Sequence, residues 1–306
     1  MSIPQFCAAL CSVALRNNAF AILLILFISA SATLGATHVV PAGGDLQAAI
    51  NIAAPGDTII VEAGAAYRGP FTLPKKTGDA FITIQSSRAG EITGRVSTSQ
   101  ASLLARLSSN VPGDPIIATA PGAHHYKLIG LEISTFSSTD LVFDLIRLGD
   151  ASQTNLSIPH NLILDRLWVH GFATQTVQRG ISLNSAQTSI INSYISDIHG
   201  VSFDTQAICG WNGPGPYQII NNYLEAAGEN IMFGGAVPSI PNLVPANIEI
   251  RRNHFFKPLS WKVGDPSYAG IRWSVKNLFE LKNARNVIVD GNVLENCWTD
   301  AQIGYA

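Results

Sequence analysis

Charge is scarce in this sequence. Of its 306 residues 13% are Asp, Glu, Lys or Arg, against 47% hydrophobic, which is roughly half the charged share of an ordinary soluble protein. Such a chain must bury much of its length on both faces of its strands. The 19 Lys and Arg nearly balance the 21 Asp and Glu, so nothing suggests the basic patch or stripe that nucleic acid requires, and no nucleic-acid partner is expected. Long helical periodicity is almost missing after residue 38. A P-loop, a dinucleotide-binding Gly-rich turn and a G-x-S-x-G elbow are all absent, which removes the chemistries those motifs carry.

Cysteine is also sparse, at four residues. Cys7 and Cys11 lie upstream of an apolar run, and Cys209 and Cys297 are 88 residues apart with no framework spacing. The latter two are expected to be separate thiols rather than a disulfide.

The first 36 residues have the order of an export signal. Arg16 precedes the apolar stretch 19–30, and Ser29, Ala30, Ser31, Ala32, Gly35 and Ala36 supply small residues for cleavage after Ala32 or Ala36. An uncleaved signal anchor stays open as the alternative, with membrane association through this segment alone. Either way the protein is expected outside the cytoplasm, as two regions: a hydrophobic leader helix over 1–36 and one folded domain over 38–306.

Within that domain one short helix is predicted over 46–54, capped by Asp45 and stopped by Pro55-Gly56-Asp57. Its place is the open end of a repeat array. Then short β-branched runs recur, each with a polar or Gly kink: Tyr126-Lys-Leu-Ile-Gly-Leu-Glu-Ile133, Ser189-Ile-Ile-Asn-Ser-Tyr-Ile195, Gln218-Ile-Ile-Asn-Asn-Tyr-Leu224 and others. Aligning the kinks at Gly130, Arg166, Ser193, Asn222, Asn253 and Asn292 gives spacings of 36, 27, 29, 31 and 39 residues. Strands repeating at 20–50 residues without intervening helices define a β-solenoid. Asn222, Asn253 and Asn292 share a register and are expected to sit at the bends and hydrogen-bond up the stack.

The opening Val40-Pro-Ala-Gly-Gly-Asp-Leu-Gln-Ala-Ala-Ile-Asn, with Ala54-Pro-Gly-Asp-Thr-Ile and Tyr67-Arg-Gly69, resembles the amino-terminal cap and first coil of the pectin-lyase-like superfamily. The repeated Ile-x-x-Asn phrases resemble its later coils. The resemblance spans residues 38–306 and implies an all-β, right-handed parallel β-helix with a short N-terminal capping helix. It also implies a surface on which extended polysaccharides bind. The superfamily includes lyases, hydrolases, epimerases, tailspikes and adhesins, so the activity stays open. The last residues, Ala301-Gln-Ile-Gly-Tyr-Ala306, end within an apolar phrase, and further coils are expected beyond them.

Candidate chemistry gathers late in the chain. If Phe279 and Leu281 point inward, alternation puts Lys276, Glu280 and Lys282 on the outer face. Such a lysine can act as the base that removes a proton beside a uronate carboxylate. Glu280-Leu-Lys282-Asn283 resembles the lysine-bearing coil of alginate-lyase-like and chondroitinase-B-like β-helices. It departs from them in acid-to-lysine spacing and lacks their arginine-histidine-glycine phrase. The preceding insert, 257–272, offers Arg272 to pair a carboxylate, and Trp261, Tyr268 and Trp273 as platforms for sugar rings. All five Trp residues fall in the second half.

In Gly228-Glu-Asn-Ile-Met-Phe-Gly-Gly235, Glu229 and Asn230 are candidate oxygen ligands for Ca²⁺. Asp197, His199 and Asp204 cluster one coil earlier. His124-His125 has no third ligand at metal spacing and reads as a solvated turn. Three functions stay open: a polysaccharide lyase working by β-elimination, a non-catalytic glycan- or protein-binding β-helix, and a glycoside hydrolase. The expected partner is an acidic polysaccharide, bound by a monomer.

Overall fold

The capping helix comes first. In a computed structural model, which describes residues 35–109, 111, 113–138, 141–298 and 300, it runs Leu46–Ile52, two residues shorter than its periodicity predicts. Asp45 accepts the Ala48 N–H at 2.9 Å, and Leu46, Ala49 and Ile50 are buried. The helix therefore closes the mouth of the core with its apolar stripe. The predicted leader lies almost wholly outside the described residues, as do Cys7 and Cys11. No described helix is long and apolar enough to cross a membrane.

Past the helix, each coil contributes one strand to each of three sheets. Among the described residues the first sheet has nine strands, the second eight and the third seven. Neighbouring strands pair in parallel, each with its equivalent one coil away. The fold is a right-handed parallel β-helix. The registers stack equivalent side chains on one another. Ile59, Ile84, Leu128, Leu164, Ile190, Ile219 and Ile250 form one continuous file inside the first sheet, and each is at most 1% exposed. Tyr67, Leu107, Ile133, Val169, Ile195, Leu224 and Phe255 do the same for the second. Full burial of one such side chain is worth about 1.5–3 kcal/mol, so the files are the main source of cohesion.

Two bends, at Gly130 and Arg166, fall where the sequence predicts them, and the later four are placed one residue earlier. Left-handed backbone is found at Gly130, Arg166, Asn192, Asn221, Arg252 and Gly291. Asn222, Asn253 and Asn292 follow the bend and turn inward, where they form the expected ladder. Asn222 Nδ2 donates to Asn253 Oδ1 at 3.0 Å, and Asn253 Nδ2 to Asn292 Oδ1 at 3.0 Å. The same amides also bond the backbone at Ile190 and Ile219. A second file runs outside along the bend itself, from Asn221 to Asn192 to Asp165.

One insertion crosses the coils. Residues 87–104 leave the first sheet and lie over the outside of the second, with Ile92, Val96 and Leu104 packed against Trp168 and Tyr194. Arg166 Nη1 donates to the carbonyls of Ala89 and Ile92 at 3.0 Å each. Val96 N–H reaches Asn192, and Arg95 reaches the carbonyl of Asn222. Cys209 is buried and Cys297 exposed, each as a free thiol.

Replacing a buried ladder asparagine leaves several backbone groups unpaired. Asn253→Ala is expected to cost about 2–4 kcal/mol in denaturant unfolding, whereas Asn192→Ala on the outer file costs less than about 1 kcal/mol.

Candidate functional site

The phrase around Glu229 has a local cause at each position. A Cβ at Gly228 would stand 2.3 Å from the Thr205 carbonyl, so only glycine lets the chain pass there. The strand Glu229–Phe233 follows. Ile231 and Phe233 enter the core, and Asn230 turns inward too, its amide donating to the carbonyls of Leu224 and Phe256 at 2.6 and 2.9 Å. Glu229 takes the other side. Gly234, with φ of +96°, then brings the strand against the turn at Lys282 and Asn283. Beneath the bend, the buried Lys257 amine donates to the carbonyls of Ala226, Ala227 and Gly228 at 2.6–2.8 Å and fixes the approach to Glu229.

Glu229 ends a polar file along the third sheet. Asp144, Arg179, Gln206 and Glu229 occupy the same position in four successive coils. A second file holds Arg147, Ser182, Cys209, Met232 and Glu280. Asp144 accepts from Arg147 at 3.0 Å and, weakly, from Arg179 at 3.5 Å. The Arg179 guanidinium also lies 5.1 Å from the centre of the Trp211 ring. At the far end Gln206 Nε2 donates to Glu229 Oε2 at 2.9 Å.

Lys276 closes this end from the segment that crosses over it. Its ammonium stands 2.7 Å from Glu229 Oε1 and 2.9 Å from Asp204 Oδ2. Burial works against the charge, but hydrogen bonds to the two carboxylates prevail and raise the lysine pKa. Lys276 is thus held as a fixed cation. Glu280 lies next to it, 3.7 Å from Lys282. Burial and a hydrogen-bonded contact with Glu229 push the Glu280 pKa up, while Lys282 and Lys276 pull it down less strongly. The two carboxyls face each other, and Glu280 Oε2 is buried with no other hydrogen-bond partner.

Of the residues singled out in the sequence, Lys276, Glu280, Lys282 and Glu229 come together, and Asp204 joins them through Lys276. Arg272 does not join them: it is exposed and paired with Asp300 at 2.6 Å. Trp261 and Trp273 offer no platform for a sugar, because both are buried and enclose the His199 ring, edge-on at 5.2 Å and stacked at 3.9 Å. Tyr268 is half-buried in the turn closed by Asp265. Asn230 faces away from Glu229, and an ammonium already occupies the place beside the Glu229 carboxylate. These donors do not fit Ca²⁺, which needs six to eight oxygens. Asp144, Arg147, Arg179, Gln206 and Trp211 escaped the sequence reading because loops of unequal length separate them along the chain.

A second carboxyl centre lies on the second sheet. Tyr194 and Tyr223 stack at 4.2 Å, and the Tyr223 hydroxyl donates to Glu225 Oε2 at 2.8 Å. Burial, with Asp197 nearby, pushes the Glu225 pKa up to about 7. Asp197 is raised as well, again through burial. His199, the third residue of the expected cluster, lies 4.0 Å from Asp197.

No protein-family model and no curated protein matches this chain. Among solved structures it is similar to an alginate lyase from Paenibacillus sp., with 15% identity over 85% of this chain and 98% of that one, at a TM-score of 0.45. A protein of Geobacillus virus E2 shares 13% identity over 79% of this chain and 44% of its own, at a TM-score of 0.49. A pectate lyase shares 12% over 90% and 82%, at a TM-score of 0.39. At such identities the likeness concerns the coiled fold alone. The chemistry rests on the residues of this chain.

Glu225 gives a sign that can be measured. Its folded pKa lies above the unfolded value of 4.5, so between those pH values the native state holds a proton that the unfolded chain releases. Its contribution to stability is complete below pH 4.5 and is lost as pH rises through about 7. The loss is on the order of 3 kcal/mol. Denaturant titrations across that range should show this fall in the wild type, and Glu225→Gln should flatten it.

Proposed function

We propose that this chain is an exported polysaccharide lyase that binds an acidic polysaccharide along the outside of the third sheet and cleaves it by β-elimination. The observation that carries this reading is the continuity of one outward face. It holds two partly exposed guanidiniums, Arg147 and Arg179, and then a carboxyl of raised pKa, Glu280, beside the accessible Lys282.

Elimination from a uronate needs three things, and the face supplies each. Arg179, held by Asp144 only at 3.5 Å, exchanges that weak contact for a bidentate pair with a substrate carboxylate. This withdraws charge from the neighbouring carbon and stabilises the enolate-like state. Lys282 takes the proton from that carbon. The C–O bond to the next sugar breaks as the ring double bond forms, and Glu280 gives its proton to the departing oxygen. Lys276 takes no proton in this scheme. It pairs with the Glu229 carboxylate, and Glu229 in turn raises the Glu280 pKa.

Export is part of the same proposal. Ala36 N–H bonds the Asp57 carboxylate at 2.7 Å, and its carbonyl accepts from Thr58. Cleavage after Ala32 preserves these contacts, whereas cleavage after Ala36 removes them. The mature N-terminus, measured by mass spectrometry of secreted protein, is expected at Thr33.

The activity is tested by ultraviolet absorbance of unsaturated uronate ends during incubation with pectate, alginate and glycosaminoglycans. A rising signal is expected with one of them. Lys282→Ala should lower kcat about 10²–10⁴-fold, the usual worth of a general base, and Arg179→Ala should mainly raise KM. Silence across the panel from folded protein, or an unimpaired Lys282→Ala variant, would sink the lyase reading and leave glycan binding.

A further inference from the structure

We propose that Asp79, His124 and His125 form a binding site for a divalent transition-metal ion of the zinc class. The two histidines alone show no third ligand in sequence. The fold supplies one, because Asp79 sits at the same corner of the preceding coil, in the loop entering Ile82–Ser86, while the histidines open the strand His124–Ile129. Among the described residues this is the one place where three such side chains bring ligand atoms within 4.8 Å of one another.

The geometry suits a small ion. His124 Nδ1 and His125 Nδ1 face each other at 2.8 Å. A metal about 2.0–2.1 Å from each of two tetrahedral ligands holds them about 3.3 Å apart, a small ring rotation from this spacing. The His124 ring also hydrogen-bonds the Lys76 backbone. A backbone hydrogen bond of this kind helps hold a ligating ring in place. His160 stacks on His124 at 4.8 Å, almost parallel, and limits the tilt of that ring. Its own Nδ1 is bonded to Asn161 at 2.6 Å, so it supports the site without joining it.

Backbone geometry does not by itself require histidine at 125. The equivalent left-handed position in other coils carries Asn161, Gln187, Asn247 and Asn286. His125 is the coil where an imidazole replaces an amide, and it does so opposite Asp79. Two nitrogens and one carboxylate suit zinc-like ions and not Ca²⁺ or Mg²⁺. With Asp79 exposed and both histidines half-buried, the fourth position opens to solvent and is filled by water or an anion.

The test uses the full chain stripped by a chelator and titrated with Zn²⁺ by calorimetry, and with Co²⁺ by visible absorption. One ion per chain is expected, with the intense absorption of four-coordinate Co²⁺. Asp79→Asn and His125→Asn should each weaken binding at least tenfold. The latter variant keeps an amide that the neighbouring coils already accept, and unchanged circular dichroism would establish that it folds. His160→Asn should bind as the wild type does. Absence of saturable binding by folded protein overturns the proposal, and so does equal binding by the Asp79→Asn and His125→Asn variants. A loss in His160→Asn as large as in His125→Asn would overturn the ligand set.

Discussion

Everything in this molecule depends on the parallel backbone ladder that sets each coil directly on the last. Strands in such a ladder lie about 4.8 Å apart, and each side chain meets its own counterpart from the next coil. Aliphatic groups welcome that arrangement, and so do asparagine amides, which both donate and accept. Ionised groups do not. Two like charges at that spacing repel by on the order of 3 kcal/mol at an effective dielectric of about 20. The outer file of the third sheet obeys this limit, with Asp144, Arg179, Gln206 and Glu229 following one another so that no two like charges are adjacent. The low charge content of the whole chain is the same constraint seen in composition.

The site is the place where the constraint is broken. Glu229 and Glu280 approach closely from adjoining coils, and the conflict is eased by the Lys276 ammonium on Glu229 and shows in the raised pKa of Glu280. The crossing segment brings Lys276 in from outside the strand register, which is why the pairing could not come from the sheets alone. Removing one member of a buried pair typically costs 3–5 kcal/mol, so this cluster also holds the last coils together.

The fold was legible because its signals are local and repeated. Asp45 before an apolar stripe, β-branched runs and asparagines at a shared offset each point to the same solenoid. The bend was misplaced by one residue because Asn222, Asn253 and Asn292 looked like turn formers, whereas the inward ladder is what needs them. At the site, alternation put Lys276, Glu280 and Lys282 on the outer face; Glu280 and Lys282 are partly exposed there, whereas Lys276 is buried between Glu229 and Asp204. The pairing of Glu229 with Asn230 as ligands failed because Asn230 turns inward beside Ile231, as Ala207 does beside Ile208 one coil earlier. Trp261 and Trp273 misled for a related reason: a long insert reads as surface, but this one folds back and encloses His199.

The insertion across the second sheet changes how such a molecule comes apart. Coils that touch only their neighbours fray one at a time, like a stack of coins pushed from its end. Residues 87–104 instead bind positions 166, 192 and 222, the last of them 127 residues away in the chain from its partner. Coils from the third strand of the first sheet to its seventh are therefore tied into a single cooperative block, which must be closed by a long loop and is correspondingly slow to form. Once closed, that block resists peeling from either end.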